Sequence, residues 1–315
     1  MSLLTICQNA AAYVPLAAPT TIIGNSDSTA AFLLQCAQRA GKRVSRVPQF
    51  GWIAQQVEHL FETVSLDPLT GTIANSGAGG VAVITGLSST ASITALTFGA
   101  SGTGIPLNAV VASVDSATQV TLNMAATATG SGVAVTFSQF AYAVPADFAG
   151  VIDNSLWDRS RYWQMRGPYS PQEWQRVKSS ILTQATIQRR VRFEYIAGSQ
   201  YMLIQPIPTD DGSLLVYEYV STYWCKSSGG VGRVQWAADT DVGIVDEYLI
   251  ELDLGWRLLR RQGMDYSEER EEFERELDKL VARDGGAAPL SLAQGRGDMW
   301  LGGYANVPEG SFPST

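Results

Sequence analysis

Apolar residues recur at helical spacing near both ends of the chain and at strand spacing through its middle. Ser26-Asp27-Ser28 offers N-cap oxygens ahead of an apolar-periodic stretch, which predicts a helix over Ser28–Ala40 that Gly41 ends. Ile53, Val57, Leu60 and Val64 step by four, three and four, predicting a second helix over Gln49–Val64 with one buried face. In Ser170-Pro171-Gln172-Glu173, Ser170 can cap, Pro171 fits the first helical position and Glu173 closes a capping box. Trp174, Val177, Ile181 and Ala185 mark the apolar face of the helix that follows. Val242, Val245, Leu249, Leu252, Trp256 and Leu259 alternate steps of three and four, the seam of a helix that Asp241 is placed to cap and Gly263 to end. Ser267 caps a last helix, with Phe273, Leu277 and Leu280 inward and Glu/Arg pairs outside.

Between these helices the pattern changes. From Asp67 to Phe140 there is no Lys, Arg or Glu, and the only charges are Asp67 and Asp115. Apolar runs at Val81–Thr85, Ala109–Val114, Gln119–Leu122 and Val133–Phe137 are separated by turn residues, with Asp115-Ser116-Ala117-Thr118 as a hairpin connection. This predicts a small β-sandwich or barrel inserted into a helical host. Further on, Val191–Ile196, Tyr201–Ile207 and Leu214–Val220 read as an antiparallel meander with turns at Gly198-Ser199 and Asp211-Gly212. The expected class is therefore α+β: a helical bundle host carrying a β meander and an inserted all-β domain. Its parts are 1–66, the insert 67–140, 141–284, and an extended tail 285–315. That tail is Gly/Ala/Pro/Ser-rich, and its Trp300, Leu301, Tyr304 and Phe312 are too scattered to bury a core of their own.

Composition sharpens this picture. With 315 residues, 45% hydrophobic and 17% charged, the chain can bury a sizeable core but carries less charge than the roughly one quarter usual for soluble domains. The net charge of −8 argues against nonspecific nucleic-acid affinity built on counterion release. From Asp239 to Asp284 there are 15 acidic and 7 basic residues, and the remainder balances, so the whole excess falls on one region. The N-terminus lacks a basic n-region and is a poor signal peptide. No apolar run approaches the roughly 20 residues needed to span a bilayer. Cys7, Cys36 and Cys225 are odd in number and widely spaced, which fits reduced thiols made in a cytoplasm.

Candidate chemistry is sparse. His59 is the only histidine; the predicted helix makes it a flank residue, and multi-histidine metal sites are excluded. Gly41-Lys42 is followed by Arg43 and lacks a P-loop's upstream glycine, while Gly77–Gly80, Gly102–Gly104 and Gly229–Gly232 read as turns. Asp210-Asp211 and Asp239-Thr240-Asp241 read as a turn and a cap, not as cation ligands. No catalytic, cofactor or metal residue is assigned. Arg39, Lys42, Arg43 and Arg46 close the first helix, where cations suit the negative end. Trp157, Arg159, Arg161 and Trp163, with Tyr162 and Arg166, interleave aromatic and cationic side chains. That composition dominates protein interfaces, and with an acidic chain a protein partner is preferred to a nucleic acid.

Four segments resemble the head-to-tail adaptor (connector, tail tubular protein A-like) family of short-tailed bacteriophages: TTIIGNSDSTAAFLLQCAQRAGKR, YAVPADFAGVIDNSLWDRS, GPYSPQEWQRVKSS and VQWAADTDVGIVDEYLIELDLGWRLLRRQGMDY. They stand in the family's order and include Trp157, Trp174, Trp236 and Trp256. The resemblance implies a non-enzymatic structural subunit of the virion neck, one member of a ring, usually of about twelve copies. It implies a portal protein above, a tail nozzle below and fibres outside, with double-stranded DNA passing through. An acidic wall repels phosphates, so Glu268, Glu269, Glu271, Glu272 and Glu276 are the candidate channel lining. Trp300, Leu301, Tyr304, Phe312, Trp157, Arg159, Arg161 and Trp163 are the candidate docking residues. The β insert alone would also suit a tail fibre or tail-tube component. Glu58, Glu62 and Glu173 would be the carboxylates of a virion-associated glycan hydrolase, though their spacing does not set them apart from surface residues.

Overall fold

The computed structural model describes residues 1–14, 16–48, 51–179 and 188–284. It is α+β, with helices α1 (Leu3–Ala11), α2 (Ser28–Val44), α3 (Pro171–Ser179), α4 (Glu247–Gln262) and α5 (Ser267–Asp284), and with antiparallel sheets. The chain divides into two units. Of the described residues, one comprises Met1–Glu58, Asp147–Ile152 and those from Glu218 onward; the other comprises His59–Ala146 and Asp153–Tyr217.

In the first unit α1, α2 and α5 pack around α4. Every residue of α4 from Leu249 to Trp256 is buried, and a helix that is apolar nearly all round needs cover on all sides. Leu249, Leu252, Trp256 and Leu259 of the expected seam lie in it, and Gly263 ends it in the left-handed conformation (φ 72°). Its start differs from expectation. Val242 belongs to the short strand β17 (Val242–Gly243), and Asp246 is the cap, its Oδ1 accepting from the N–H groups of Tyr248 and Leu249 at 2.9 and 3.2 Å. Asp241 is instead buried under the loop before β17, accepting from Arg233 Nη1 and from the N–H groups of Ala237 and Ala238. β17 and β16 (Gly232–Arg233) flank β15 (Cys225–Lys226) in a small sheet. In α5, Phe273 and Leu280 are buried as the spacing predicts, while Asp265 Oδ1, not Ser267, accepts the N–H that opens the helix.

α2 starts at Ser28 as expected but runs through Gly41 to Val44, with Lys42 and Arg43 in its last turn. Gly41 is a contact point: a Cβ there would lie 2.1 Å from the Trp224 ring. That ring cannot swing away, because its Nε1 donates to the Val234 carbonyl at 2.7 Å and its face meets the Trp236 edge at 5.0 Å. α1 carried no signal beyond apolar residues; it packs Leu3, Ile6, Cys7 and Ala10 into the same core.

The helix expected over Gln49–Val64 is not formed. Ile53–Gln55 is a single 3-10 turn, and the strand β1 (Gln56–Glu62) follows. Ile53 and Leu60, placed on the buried face of that helix, are 59% and 45% exposed. The winning pattern is alternation: His59, Phe61 and Thr63 turn inward, and Phe61 meets Tyr142 and Tyr217 with centroids 4.9 and 6.1 Å apart.

In the second unit, strands β2 (Leu69–Ala74), β3 (Val83–Thr85), β4 (Phe98–Gly102), β5 (Val111–Ser116), β6 (Gln119–Leu122) and β7 (Gly130–Gln139) form a sheet ordered β4-β7-β2-β3-β6-β5. Its two ends meet. Ala100 N–H donates to the Ala109 carbonyl at 2.9 Å, Leu96 N–H to that of Val111 at 2.8 Å, and Gly99 bridges Val110. The sheet is therefore a closed barrel without a free edge, filled by Ile73, Ile84, Phe98, Val120, Leu122 and Phe137 among others. The chain enters and leaves it side by side: Ser65 bridges Ser138, Leu66 N–H donates to Phe137 O, and Gln139 N–H to Val64 O, both at 2.8 Å. Tyr142 pins both strands, its Oη accepting from Val64 N–H and donating to Gln139 O.

The expected meander is only partly formed. β12 (Arg190–Ile196) and β13 (Ser199–Gln205) make a hairpin with β8 (Ala141–Ala143) on the other side of β13. Pro206 follows Gln205 and has no N–H to continue the ladder. The third run, β14 (Leu214–Ser221), instead pairs with β10 (Trp157–Asp158), which pairs with β11 (Trp163–Gln164); β9 (Phe148–Val151) pairs with Tyr219–Ser221. α3 has the predicted capping box, with Ser170 N–H donating to Glu173 Oε2 at 2.9 Å and Glu173 N–H to Ser170 Oγ at 3.4 Å, and with Trp174 and Val177 buried. Ile181 and Ala185 lie outside the described residues.

The Gly41 contact gives a prediction of opposite sign to the usual one. Gly→Ala inside a helix gains about 1 kcal/mol from propensity, whereas forcing a methyl into a closed contact costs about 1–3 kcal/mol. With no room against Trp224, Gly41→Ala falls at the upper end of that cost and is expected to destabilise the protein by about 2 kcal/mol net, read as a lower urea midpoint at unchanged slope.

Candidate interaction surfaces

The aromatic–arginine group sits on the β10–β11 hairpin, with Trp157 opposite Gln164 and Asp158 opposite Trp163. Trp157, Arg159, Arg161 and Trp163 all lie on these two strands or the turn between them, with the two tryptophans on opposite faces of the hairpin. Tyr162 stands at the tip with φ 58° and 64% exposure. Arg161 is turned back into the unit: its N–H donates to Asp158 Oδ1 at 3.0 Å and its guanidinium lies 3.3 Å from Asp210. Arg159 holds the hairpin through its backbone N–H, which donates to the Leu214 carbonyl at 2.9 Å. On this hairpin Tyr162 and Arg159 are exposed, while Trp157, Arg161 and Trp163 are half-buried.

Beneath it lies a buried charge cluster that the spacing did not reveal. Arg189, 4% exposed, lies 3.2 Å from Asp158 and 2.6 Å from Asp210, and Ser213 Oγ also donates to Asp210. Burial raises the Asp158 carboxyl above its ordinary range, against the pull of Arg189. For Asp210 burial acts in the same direction, but the Ser213 hydroxyl, Arg189 and Arg161 together outweigh it and hold the carboxyl low. The two carboxylates share one guanidinium and are driven apart by their surroundings. The sequence signal was available: an arginine opening a strand, and an Asp-Asp-Gly turn whose first aspartate need not face solvent.

The acidic candidates line α5. Glu268, Glu271 and Glu272 are exposed, and Glu269 and Glu276 are half-buried. Part of this charge is engaged, with Tyr248 Oη donating to Glu272 at 3.2 Å and Lys279 3.1 Å from Glu276. Trp300, Leu301, Tyr304 and Phe312 lie outside the described residues.

The other chemical candidates are taken up by structure. His59 lies on β1, not on a helix, with Phe61 and Tyr217 centroids 5.8 and 5.2 Å away. Glu173 spends its carboxylate on the α3 cap, where Ser170 holds it below the usual range; Glu58 and Glu62 are on β1. Cys7, Cys36 and Cys225 are free and buried, and burial pushes the Cys7 and Cys225 thiols up to about 12. Among the described residues no group of three or more His, Cys, Asp or Glu side chains could hold a metal ion, and no helix is long and apolar enough to cross a membrane.

A helix core tied by internal ion pairs, a closed barrel and an aromatic-tipped hairpin make up the described residues, and the ionisable groups named above are engaged within them. The particular family follows from comparison with known proteins. The model of the SU10 adaptor protein family matches residues 105–293, 189 of the 315, from the β4–β5 connection past the end of α5, and the chain belongs to that family. It is a phage adaptor, a structural component of the virion neck. No curated protein matches it.

The buried cluster predicts that Arg189→Met will cost about 3–5 kcal/mol, because it strands two carboxylates that shared one partner. Arg189→Lys, which keeps the charge but not the forked geometry, should lose less. Equal stability of all three proteins in urea would show that the cluster does not hold the unit together.

Proposed function

We propose that copies of this chain, about twelve by the family resemblance, close into a ring that joins portal to tail nozzle in a short-tailed phage. Double-stranded DNA passes through the ring without specific binding, and fibres attach outside it. The family match over residues 105–293 carries this reading. The charge distribution supports it: a conduit lined by Lys and Arg would hold phosphates with strongly salt-dependent affinity, while an acidic wall lets them slide. Glu268, Glu271 and Glu272, exposed on the first two turns of α5, are placed on the lumen in this reading. Helix N-termini also attract acidic residues for their own stability, so their position on the ring is the point to test. The parts are a helical host in two stretches, 1–66 and 141–284, an inserted barrel at 67–140 and a docking tail at 285–315.

Cryo-electron microscopy of the purified protein with virion necks tests the assembly. A ring of copies with the outer face of α5 toward the bore is the expected result. A monomer under assembly conditions would overturn the ring, and a basic bore with α5 outside would overturn the lining. Residues 285–315, with four spaced large apolar side chains (Trp300, Leu301, Tyr304, Phe312), are read as the segment that docks on the portal or a neighbouring copy, together with the Trp157–Trp163 hairpin. A chain ending at Asp284 should stay folded and soluble yet fail to join the neck. Normal joining by that truncated chain would remove the tail from the docking surface.

A further inference from the structure

We infer that the loop end of the barrel is a surface on which one copy of this chain meets a second copy. The inference rests on the multi-copy reading above and adds where copies touch. All strand pairs of the barrel are antiparallel, so the β2–β3, β4–β5 and β6–β7 connections share the end opposite the paired strands through which the chain enters and leaves. These connections are stitched to one another. Asn75 and Ala126 exchange two hydrogen bonds at 3.2 and 2.7 Å, Thr127 N–H donates to Gly104 O at 2.9 Å, and Asn123 Oδ1 accepts from Val110 N–H at 2.8 Å. Asn108 is held as well, its Oδ1 accepting from Gln205 Nε2 at 2.6 Å. On this fixed rim Leu107 is 66% exposed and Met124 37%.

The rim carries no charge. The only two charged residues of the barrel sequence, Asp67 and Asp115, lie at the opposite end, one before β2 and one near the end of β5. A charge-free surface has no cation to release counterions from a nucleic acid, and it would strand the ions of a charged protein without partners. It suits a partner surface that is itself uncharged. For a chain of net charge −8, approach of two copies is opposed by their own repulsion. The barrel, with two of the chain's 30 acidic residues, is the region where that repulsion is least. Because the rim is already ordered, docking there forfeits little conformational freedom.

The test uses the full chain with a photoreactive benzoylphenylalanine in place of Leu107, whose exposure makes the change tolerable to the fold. Irradiation of the assembled protein should give a covalent dimer with the adduct mapped to a second copy. A paired measurement is the concentration dependence of assembly in Leu107→Glu/Met124→Glu, expected to rise by about ten-fold or more, with circular dichroism confirming the fold. Rings with no intermolecular adduct, or an adduct to another virion protein in intact particles, would overturn the inference while leaving the ring reading intact. Assembly of the double variant at wild-type concentration would do the same. Failure of the parent protein to form any multimer would overturn both.

Discussion

Asp253 has no exposed surface, and a lone carboxylate in that position would cost several kcal/mol of desolvation. The helical unit is arranged around meeting that cost. Arg43 reaches the carboxylate from α2 at 3.1 Å, Arg257 from the next turn of α4 at 2.9 Å, and the Trp256 indole N–H at 3.0 Å. Arg43 also lies over the Phe273 ring of α5, 5.3 Å from its centroid. One carboxylate thus fixes how α2, α4 and α5 sit on each other, and Glu251 adds α1 by accepting from Asn9 at 2.9 Å. Apolar packing alone would allow α4 to rotate among similar neighbours. The buried acids allow one arrangement.

How far the sequence foretold this depends on what kind of signal each element left. Local signals survived: the Ser170–Glu173 capping box, Gly263 as the α4 stop, and the alternating runs of the barrel needed only neighbours in the chain to be read. Signals that depend on distant partners did not. Gly41 reads as a stop, yet the helix continues because Trp224 needs the space a side chain would fill. Steps of four, three and four from Ile53 to Val64 mimic a helix, yet Tyr142 and Tyr217 reward the two-residue period that turns His59 and Phe61 to one face. The surfaces divide in the same way. The Trp157–Trp163 hairpin was visible as composition, while the turning of Arg161 toward Asp210 was not, because a spacing cannot say which arginine finds a carboxylate.

The charges that are buried serve the fold, and those left exposed among the described residues are of both signs. Ion pairs at an exposed interface contribute little each and weaken with salt, so a neck held together by them would loosen as ionic conditions change. Aromatic and aliphatic contacts do not have that sensitivity. Tyr162, 64% exposed on one hairpin, and Leu107, exposed on the barrel rim, are side chains of the salt-insensitive kind.

The limits of the family match bear on the barrel. The match begins at residue 105, between β4 and β5, and so divides a structure that has no internal boundary there. β4 and β5 complete each other's edges through the Ala100–Ala109 and Leu96–Val111 hydrogen bonds. Removing β2 to β4 would open the edges of β5, β6 and β7 to water or to another chain. Half of this barrel cannot be stable without the other half, and residue 105 therefore marks where likeness of sequence fades, not where the fold changes. The strands before it, β2, β3 and β4, and those after it, β6 and β7, are joined through eleven register pairs and the single core of Ile73, Ile84, Val120 and Phe137. It follows that the barrel folds as one body, closed at its entry by the paired strands at Ser65 and Ser138.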